Sequence, residues 1–139
     1  METIYTAAVT ATGGREGHIK SDNGIIDMQI KFPTGMGGKN DDYANPELLF
    51  AAGYSACFDG ALNLALRTAR VKTGETSVTA KVSIGKVETG LQLAAELLIN
   101  IPGISLEEAK SFAEKAHQTC PYSKATRGNI DVTLTVTNK

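Results

Sequence analysis

The chain has 139 residues, of which 42% are apolar and 21% charged, with a formal net charge of −1. That is the composition of a globular domain able to build its own core, and it excludes an intrinsically disordered chain. Acidic and basic residues are interspersed, with no basic run of five or six residues. This argues against nucleic acid or an anionic membrane surface as a partner.

Met1 to Thr10 has no basic segment followed by an apolar stretch, so no secretory leader is expected. The low-charge apolar stretch Leu48 to Phe58 stops at Asp59, short of the length needed to cross a bilayer. The expectation is one cytoplasmic domain over 1–139. Its two cysteines, Cys57 and Cys120, are then not a secreted disulfide scaffold. They are buried thiols, metal ligands or redox groups, and their number alone does not choose.

Ile4 to Ala11 is β-branched and aromatic and ends at Gly13-Gly14, which predicts a strand and a turn. His18 to Lys20 predicts a second strand. After the Asp22-Asn23-Gly24 turn, Ile26, Met28, Ile30 and Phe32 alternate with polar residues over Ile25 to Phe32. Together these pieces predict an antiparallel meander. Pro33 to Ala44, rich in Gly, Asn and Asp, predicts a long loop, and long loops inside domains often carry function.

Asn45-Pro46-Glu47 is a helix start: Asn as cap, Pro at the first position, Glu in the first turn. The helix is predicted to run to about Ala69. It is apolar nearly all round from Leu48 to Leu66, so it must be covered on most sides, inside the fold or in an oligomer interface. Thr76 to Val87 and Leu91 to Ile101 predict a hairpin through Glu88-Thr89-Gly90. Ser105 and Glu108 form a capping box for a helix with Leu106, Ala109, Phe112, Ala113 and Ala116 on one face. That helix reaches Cys120 and breaks at Pro121, and Asn129 to Thr137 is the last strand. The order β-β-β-α-β-β-α-β is an α+β fold with a central apolar helix.

Cys57 lies mid-way along the most apolar helix, where a cysteine most often behaves as a small inert hydrophobe. Cys120 lies at a helix boundary, followed by Lys124 and Arg127, a setting that favours thiolate if a new helical turn starts there. A thiol that reacts with peroxide needs a cation or donor to hold its thiolate, and a means of recycling its sulfenic acid. Arg15, in the Gly-Gly-Arg-Glu-Gly turn, is a candidate cation, and Glu47 a carboxylate able to grip it by two hydrogen bonds. A surface ion pair is the plainer alternative for both. A Cys₂His₂ metal set of Cys57, Cys120, His18 and His117 lacks the paired spacing of a zinc knuckle, so no metal is expected.

The segment Asn45-Pro46-Glu47-Leu48-Leu49-Phe50-Ala51-Ala52-Gly53-Tyr54-Ser55-Ala56-Cys57-Phe58 resembles the first cysteine motif of the organic hydroperoxide resistance (Ohr) subfamily of OsmC-like proteins. The segment from Cys120-Pro121-Tyr122-Ser123 to Asn129-Ile130 resembles the second, and Gly13 to His18 resembles the stretch bearing the family's arginine. The likeness covers essentially the whole chain. Ala44 stands where Thr is common and Leu48 where Gln is usual, neither at a catalytic position.

The resemblance implies an OsmC-like, intertwined homodimer that reduces small organic hydroperoxides. It assigns attack on the peroxide to Cys57, resolution through a redox-active Cys57–Cys120 disulfide to Cys120, and the supporting charges to Arg15 and Glu47. No bound cofactor is implied. The implied external reductant is a dihydrolipoyl group, as dihydrolipoamide or on a lipoylated carrier protein. Phe50, Tyr54, Phe58 and Met36 are expected to wall the substrate site, with ordinary core packing as the alternative. Glu47 and Cys57, ten positions apart, would be about 15 Å apart on one helix. Either Glu47 then serves a neighbouring subunit's cysteine, or the Asn-Pro-Glu segment is not helical; shared sites are expected. Two alternatives remain open: an OsmC-type peroxidase of broader range, and a non-enzymatic module binding an apolar ligand.

Overall fold

Glycine turns punctuate the N-terminal strands in the computed structural model, which describes every residue from Met1 to Lys139. Strand β1 (Val9–Thr12) leads through a 3-10 turn, Gly14–Glu16, into β2 (His18–Ser21) and β3 (Asp27–Gln29). Gly13 and Gly14 hold φ of 77° and 61°, a left-handed pair that side chains with a Cβ adopt only under strain. The three strands form the predicted antiparallel meander, with Val9 opposite Ser21 and His18 opposite Gln29.

Two of these strands are shorter than predicted. β1 begins at Val9 rather than Ile4, and Ile4 and Tyr5 are exposed. The physical reason is the partner: β2 ends at Ser21, whose hydroxyl donates to Asn23 Oδ1 at 2.7 Å as the chain turns, leaving residues 4–7 without a ladder. β3 stops at Gln29, and Ile30 instead bridges in parallel to Ala44 across the loop. Ile30 is buried, with Ile26 and Met28 half-buried, so the predicted inward alternation holds. The loop itself is organised by Asp41, which accepts from the Thr34 backbone N–H at 2.8 Å and hydroxyl at 2.7 Å.

Helix α1 (Pro46–Thr68) starts where expected, with Asn45 Oδ1 accepting from the Leu48 N–H at 2.8 Å. Then follow β4 (Ser77–Val87), β5 (Gly90–Asn100), α2 (Leu106–Thr119), α3 (Pro121–Thr126) and β6 (Val132–Thr137). β4 and β5 form the predicted hairpin, while β6 adds to the other edge of β5 in parallel. A parallel return needs a long crossover, and α2 with α3 supplies it. The predicted α+β order is therefore present, with one short helix added after Cys120.

The chain divides into two compact units, Met1–Leu49 and Phe50–Lys139. In the second unit, alternate residues of β5 and its end (Ala95, Leu97, Ile99, Ile101) are buried in one cluster with α1 and α2. α2 contributes Ala109, Phe112, Ala113 and Ala116, behind the Ser105–Glu108 capping box. Leu106, placed on that face from its spacing, is instead 42% exposed in the helix's open first turn.

The 23-residue helix α1 buries only one stripe, Tyr54, Phe58, Leu62 and Leu66, at every fourth position. Each such side chain contributes on the order of 1.5–3 kcal/mol by leaving water. By length and composition α1 is also long and apolar enough to cross a membrane. Its stripe packs into the core of this fold instead, while Leu48 and Leu64 remain open. The covering expected on most sides of the helix is not supplied by this chain alone.

Candidate active site

Two constellations carry the sequence-predicted residues, one in each unit. In the first, the left-handed glycine pair presents Arg15 from the 3-10 turn, and the first turn of α1 presents Glu47. Arg15 Nη1 donates to Glu47 Oε2 at 2.8 Å and Nη2 to Oε1 at 2.6 Å, a two-pronged pair. Their side chains are 28% and 12% exposed. The Phe32 ring lies 5.9 Å from the guanidinium carbon, and Glu16 accepts from the Phe32 N–H at 3.2 Å. The Asn-Pro-Glu segment is helical from Pro46, which removes the alternative that it lies outside the helix.

The Arg15 hydrogen bonds hold the Glu47 carboxyl below its ordinary range, against a smaller opposing effect of burial, and the same bonds raise Arg15. A carboxyl depressed on folding stabilises the native state above its unfolded pKa of about 4.3, and that contribution is lost as pH falls through the folded value below it. In Glu47→Gln the acid limb of the stability curve, followed by circular dichroism from pH 7 to pH 2, is therefore expected to flatten. An unchanged limb would show that the pair contributes nothing to folding.

In the second unit, Cys120 Sγ lies 3.5 Å from Cys57 Sγ, although 63 positions separate them. Both are free thiols; Cys120 is fully buried and Cys57 half-buried. Cys120 ends α2 and begins α3, so the new helical turn envisaged at Pro121 exists. Burial pushes the Cys57 thiol up, the Tyr122 backbone N–H pulls it back, and the neighbouring Cys120 thiol adds to the rise. Two thiols this close can exchange between dithiol and disulfide, and a sulfenic acid formed on one meets the other.

Of the expected substrate wall, Tyr54 and Phe58 are fully buried in the core of this chain. They sit on the inward stripe of α1, a face that the sequence could not distinguish on a helix apolar all round. Phe50 is half-buried beside a cavity of about 140 Å³ that it shares with Leu93, Ala125, Thr126, Asn129 and Ile130. Met36 is half-buried in a 3-10 turn of the first unit.

Phe50 also meets the rings of Tyr54 and Tyr122 edge-on at 6.1 and 6.2 Å. The close approach of Tyr122 depends on Gly53, where an added Cβ would lie 2.6 Å from the Tyr122 hydroxyl. In Gly53→Ala the gain in helix propensity, about 1 kcal/mol, opposes the loss of aromatic contacts of about 0.5–1.5 kcal/mol each. Thermal stability is expected to fall by no more than about 2 kcal/mol while the near-ultraviolet tyrosine signal changes clearly. An unaltered signal would mean that the ring does not sit against the helix.

Sequence reasoning missed Ser123 and Thr126, both buried and both hydrogen-bonded to the Tyr54 hydroxyl, at 2.9 and 3.1 Å. His117, without a role in the sequence reading, bonds Ser123 through Nδ1 at 2.8 Å. Only the polar character of two buried positions could have signalled this, and polarity does not disclose a partner. No cluster of three or more His, Cys, Asp or Glu side chains is placed to hold a metal ion.

The family profile described as OsmC-like protein matches residues 38–135. An organic hydroperoxide resistance protein of Xanthomonas axonopodis pv. citri is 47% identical over 97% of this chain and 96% of its own. The organic hydroperoxide resistance protein OhrA of Bacillus subtilis is 49% identical over 97% of both chains. Among solved structures, an organic hydroperoxide resistance protein from Elizabethkingia anophelis is 64% identical, with all of both chains covered and a TM-score of 0.96.

Proposed function

The chain belongs to the organic hydroperoxide resistance branch of the OsmC-like proteins, and on that premise we propose that it is a thiol peroxidase reducing organic hydroperoxides to alcohols. The observation that carries this reading is the 3.5 Å approach of the two sulfurs from distant parts of the chain. A module that merely carries an apolar ligand has no need of paired thiols.

The Cys57 thiolate attacks the terminal peroxide oxygen; the O–O bond breaks, that oxygen stays on Cys57 as a sulfenic acid, and the leaving alkoxide takes up a proton from solvent to become the alcohol. Cys120 condenses with it, forming the disulfide and releasing water. A dithiol such as dihydrolipoamide, free or on a lipoylated carrier protein, returns two electrons and two protons by exchange. The two free thiols suit a reducing, cytoplasmic setting.

Burial alone disfavours the Cys57 thiolate, so the site needs a cation. Arg15, permanently charged and oriented by Glu47, has the required character, and in our reading it serves the Cys57 of a second copy of this chain. The open apolar faces of α1 support such a homodimer, since a helix of this composition calls for cover. Apolar surface around Phe50 favours an organic substrate over hydrogen peroxide.

The test is consumption of tert-butyl hydroperoxide and of hydrogen peroxide with dihydrolipoamide as reductant. The organic substrate is expected to have the higher kcat/KM by at least about tenfold, or 1.4 kcal/mol of transition-state binding. Equal values would point to the broader OsmC-type activity. No consumption with any dithiol would sink the peroxidase reading in favour of ligand carriage.

A further inference from the structure

His117, Ser123, Tyr54 and Thr126 form an unbroken hydrogen-bonded chain beside the cysteine pair. His117 Nδ1 lies 2.8 Å from Ser123 Oγ, and Ser123 Oγ 2.9 Å from the Tyr54 hydroxyl. The Tyr54 hydroxyl lies 3.1 Å from Thr126 Oγ1, and Thr126 Oγ1 3.2 Å from the Ser123 carbonyl oxygen. Tyr54 and Ser123 are wholly buried and Thr126 nearly so, and no buried polar side-chain atom lacks a partner.

Proton counting sets the direction of this chain. Four hydrogen bonds need four protons, but the three hydroxyls supply only three. A carbonyl oxygen cannot donate, so Thr126 donates to Ser123 O. Tyr54 must then donate to Thr126, Ser123 to Tyr54, and His117 must supply the fourth proton from Nδ1. Of the two neutral tautomers, only the one protonated at Nδ1 completes the chain. Burial, followed by the charge of Arg127, lowers the His117 pKa, with Glu114 opposing, so the neutral ring is the form to consider near pH 7. Arg127 Nη2 also donates to the His117 carbonyl at 2.5 Å, binding the end of α3 to the last turn of α2.

The chain brackets both cysteines. Tyr54 stands one turn before Cys57 on α1, His117 one turn before Cys120 on α2, and Ser123 one turn after Cys120 on α3. We infer that His117 is a positioning residue that acts as terminal donor of this chain, holding the Cys120 segment against α1 so that Cys57 and Cys120 close into a disulfide. The inference deepens the peroxidase reading and rests on it for the use made of that disulfide. Preorganisation of this kind raises the effective concentration of one thiol at the other. Without the donor, Ser123 Oγ keeps its bond to Tyr54 but loses its own donor, so the α2–α3 corner loses the bond that fixes the Ser123 hydroxyl for its tie to α1.

The experiment equilibrates the protein with glutathione redox buffers and counts free thiols by alkylation and mass. In this exchange each turn to disulfide in the protein consumes one glutathione disulfide and releases two glutathiones. His117→Leu is expected to lower the equilibrium constant for Cys57–Cys120 closure by about tenfold. His117→Asn, whose amide N–H₂ falls near the position of Nδ1, is expected to stay within about twofold of the wild type. Tyr54→Phe, which conserves volume and cuts the chain in its middle, is expected to fall with the leucine variant, and serves if that variant does not fold. In the wild type, ¹⁵N spectra are expected to show Nδ1 protonated at neutral pH. Wild-type closure in both His117→Leu and Tyr54→Phe, an asparagine variant as weak as leucine, or a proton on Nε2 would each overturn the inference. Glutathione exchange needs no peroxide. A protein that closes as expected yet consumes no hydroperoxide would refute the peroxidase reading and leave the role of His117 standing.

Discussion

Cys57→Ser is expected to lower steady-state reduction of tert-butyl hydroperoxide by at least about a thousandfold, because a serine hydroxyl is scarcely ionised near neutral pH and is a far weaker nucleophile than a thiolate. Cys120→Ser is expected to behave differently. The first equivalent of hydroperoxide is still consumed, since Cys57 is intact, but the sulfenic acid has no neighbouring thiol to condense with. Its partner sulfur, 3.5 Å away in the native protein, is gone. Turnover with a dithiol then slows, and excess peroxide drives Cys57 on to sulfinic acid, a gain of two oxygens over the thiol by mass. Single-turnover mixing followed by dimedone trapping and intact-mass measurement separates the two variants. If Cys120→Ser loses the first turnover and Cys57→Ser keeps it, the assigned roles are reversed. If both retain full rate, the chemistry does not use these thiols.

Arg15→Ala is expected to reduce the rate of the first step by about a hundredfold, the loss of one well-placed charge acting on a thiolate that burial already disfavours. The more informative measurement mixes subunits. Unfolding and refolding Arg15→Ala together with Cys57→Ser at equal amounts yields homodimers with no complete site, plus mixed dimers. If Arg15 acts on the cysteine of the other copy, each mixed dimer holds one complete site: the cysteine of the Arg15→Ala chain beside the arginine of the Cys57→Ser chain. Activity should then recover to about one quarter of the wild type, since half the dimers are mixed and each has one working site of two. If Arg15 serves its own chain, no mixed dimer has a complete site, and the mixture stays as inactive as its components. The outcome distinguishes the two arrangements without depending on the absolute rate. Failure of the protein to dimerise in sedimentation would remove the basis of the shared site at once.

The elements easiest to read from the sequence were those with their determinants close at hand. The Asn45 cap and Pro46 mark the start of α1, and Ser105 with Glu108 marks α2, because each signal is a hydrogen bond spanning three or four residues. The β4–β5 hairpin is likewise written in its own turn and alternation. β1 was overestimated because strand propensity says nothing of how long a partner is available, and here β2 provides four pairs. The inward position of Tyr54 and Phe58 on α1 is hidden in the sequence for a similar reason. On a helix apolar on every side, the stripe that turns inward depends on what packs there.

The sequence by itself determined the turns, caps, strand alternation and the residue types able to do thiol chemistry, since these follow from interactions between near neighbours in the chain. The likeness of its cysteine segments to a known family added roles for Cys57, Cys120, Arg15 and Glu47, but no geometry. Only the tertiary structure decided that β6 joins β5 in parallel, that Arg15 and Glu47 pair across 32 positions, and that the sulfurs meet across 63. The hydrogen-bonded chain from His117 to Thr126 belongs with these, because it depends on Tyr54 reaching residues 69 and 72 positions away. The reason is physical: local propensities fix conformation over one or two turns, whereas the distance between remote residues is set by burial of the core that packs their elements together.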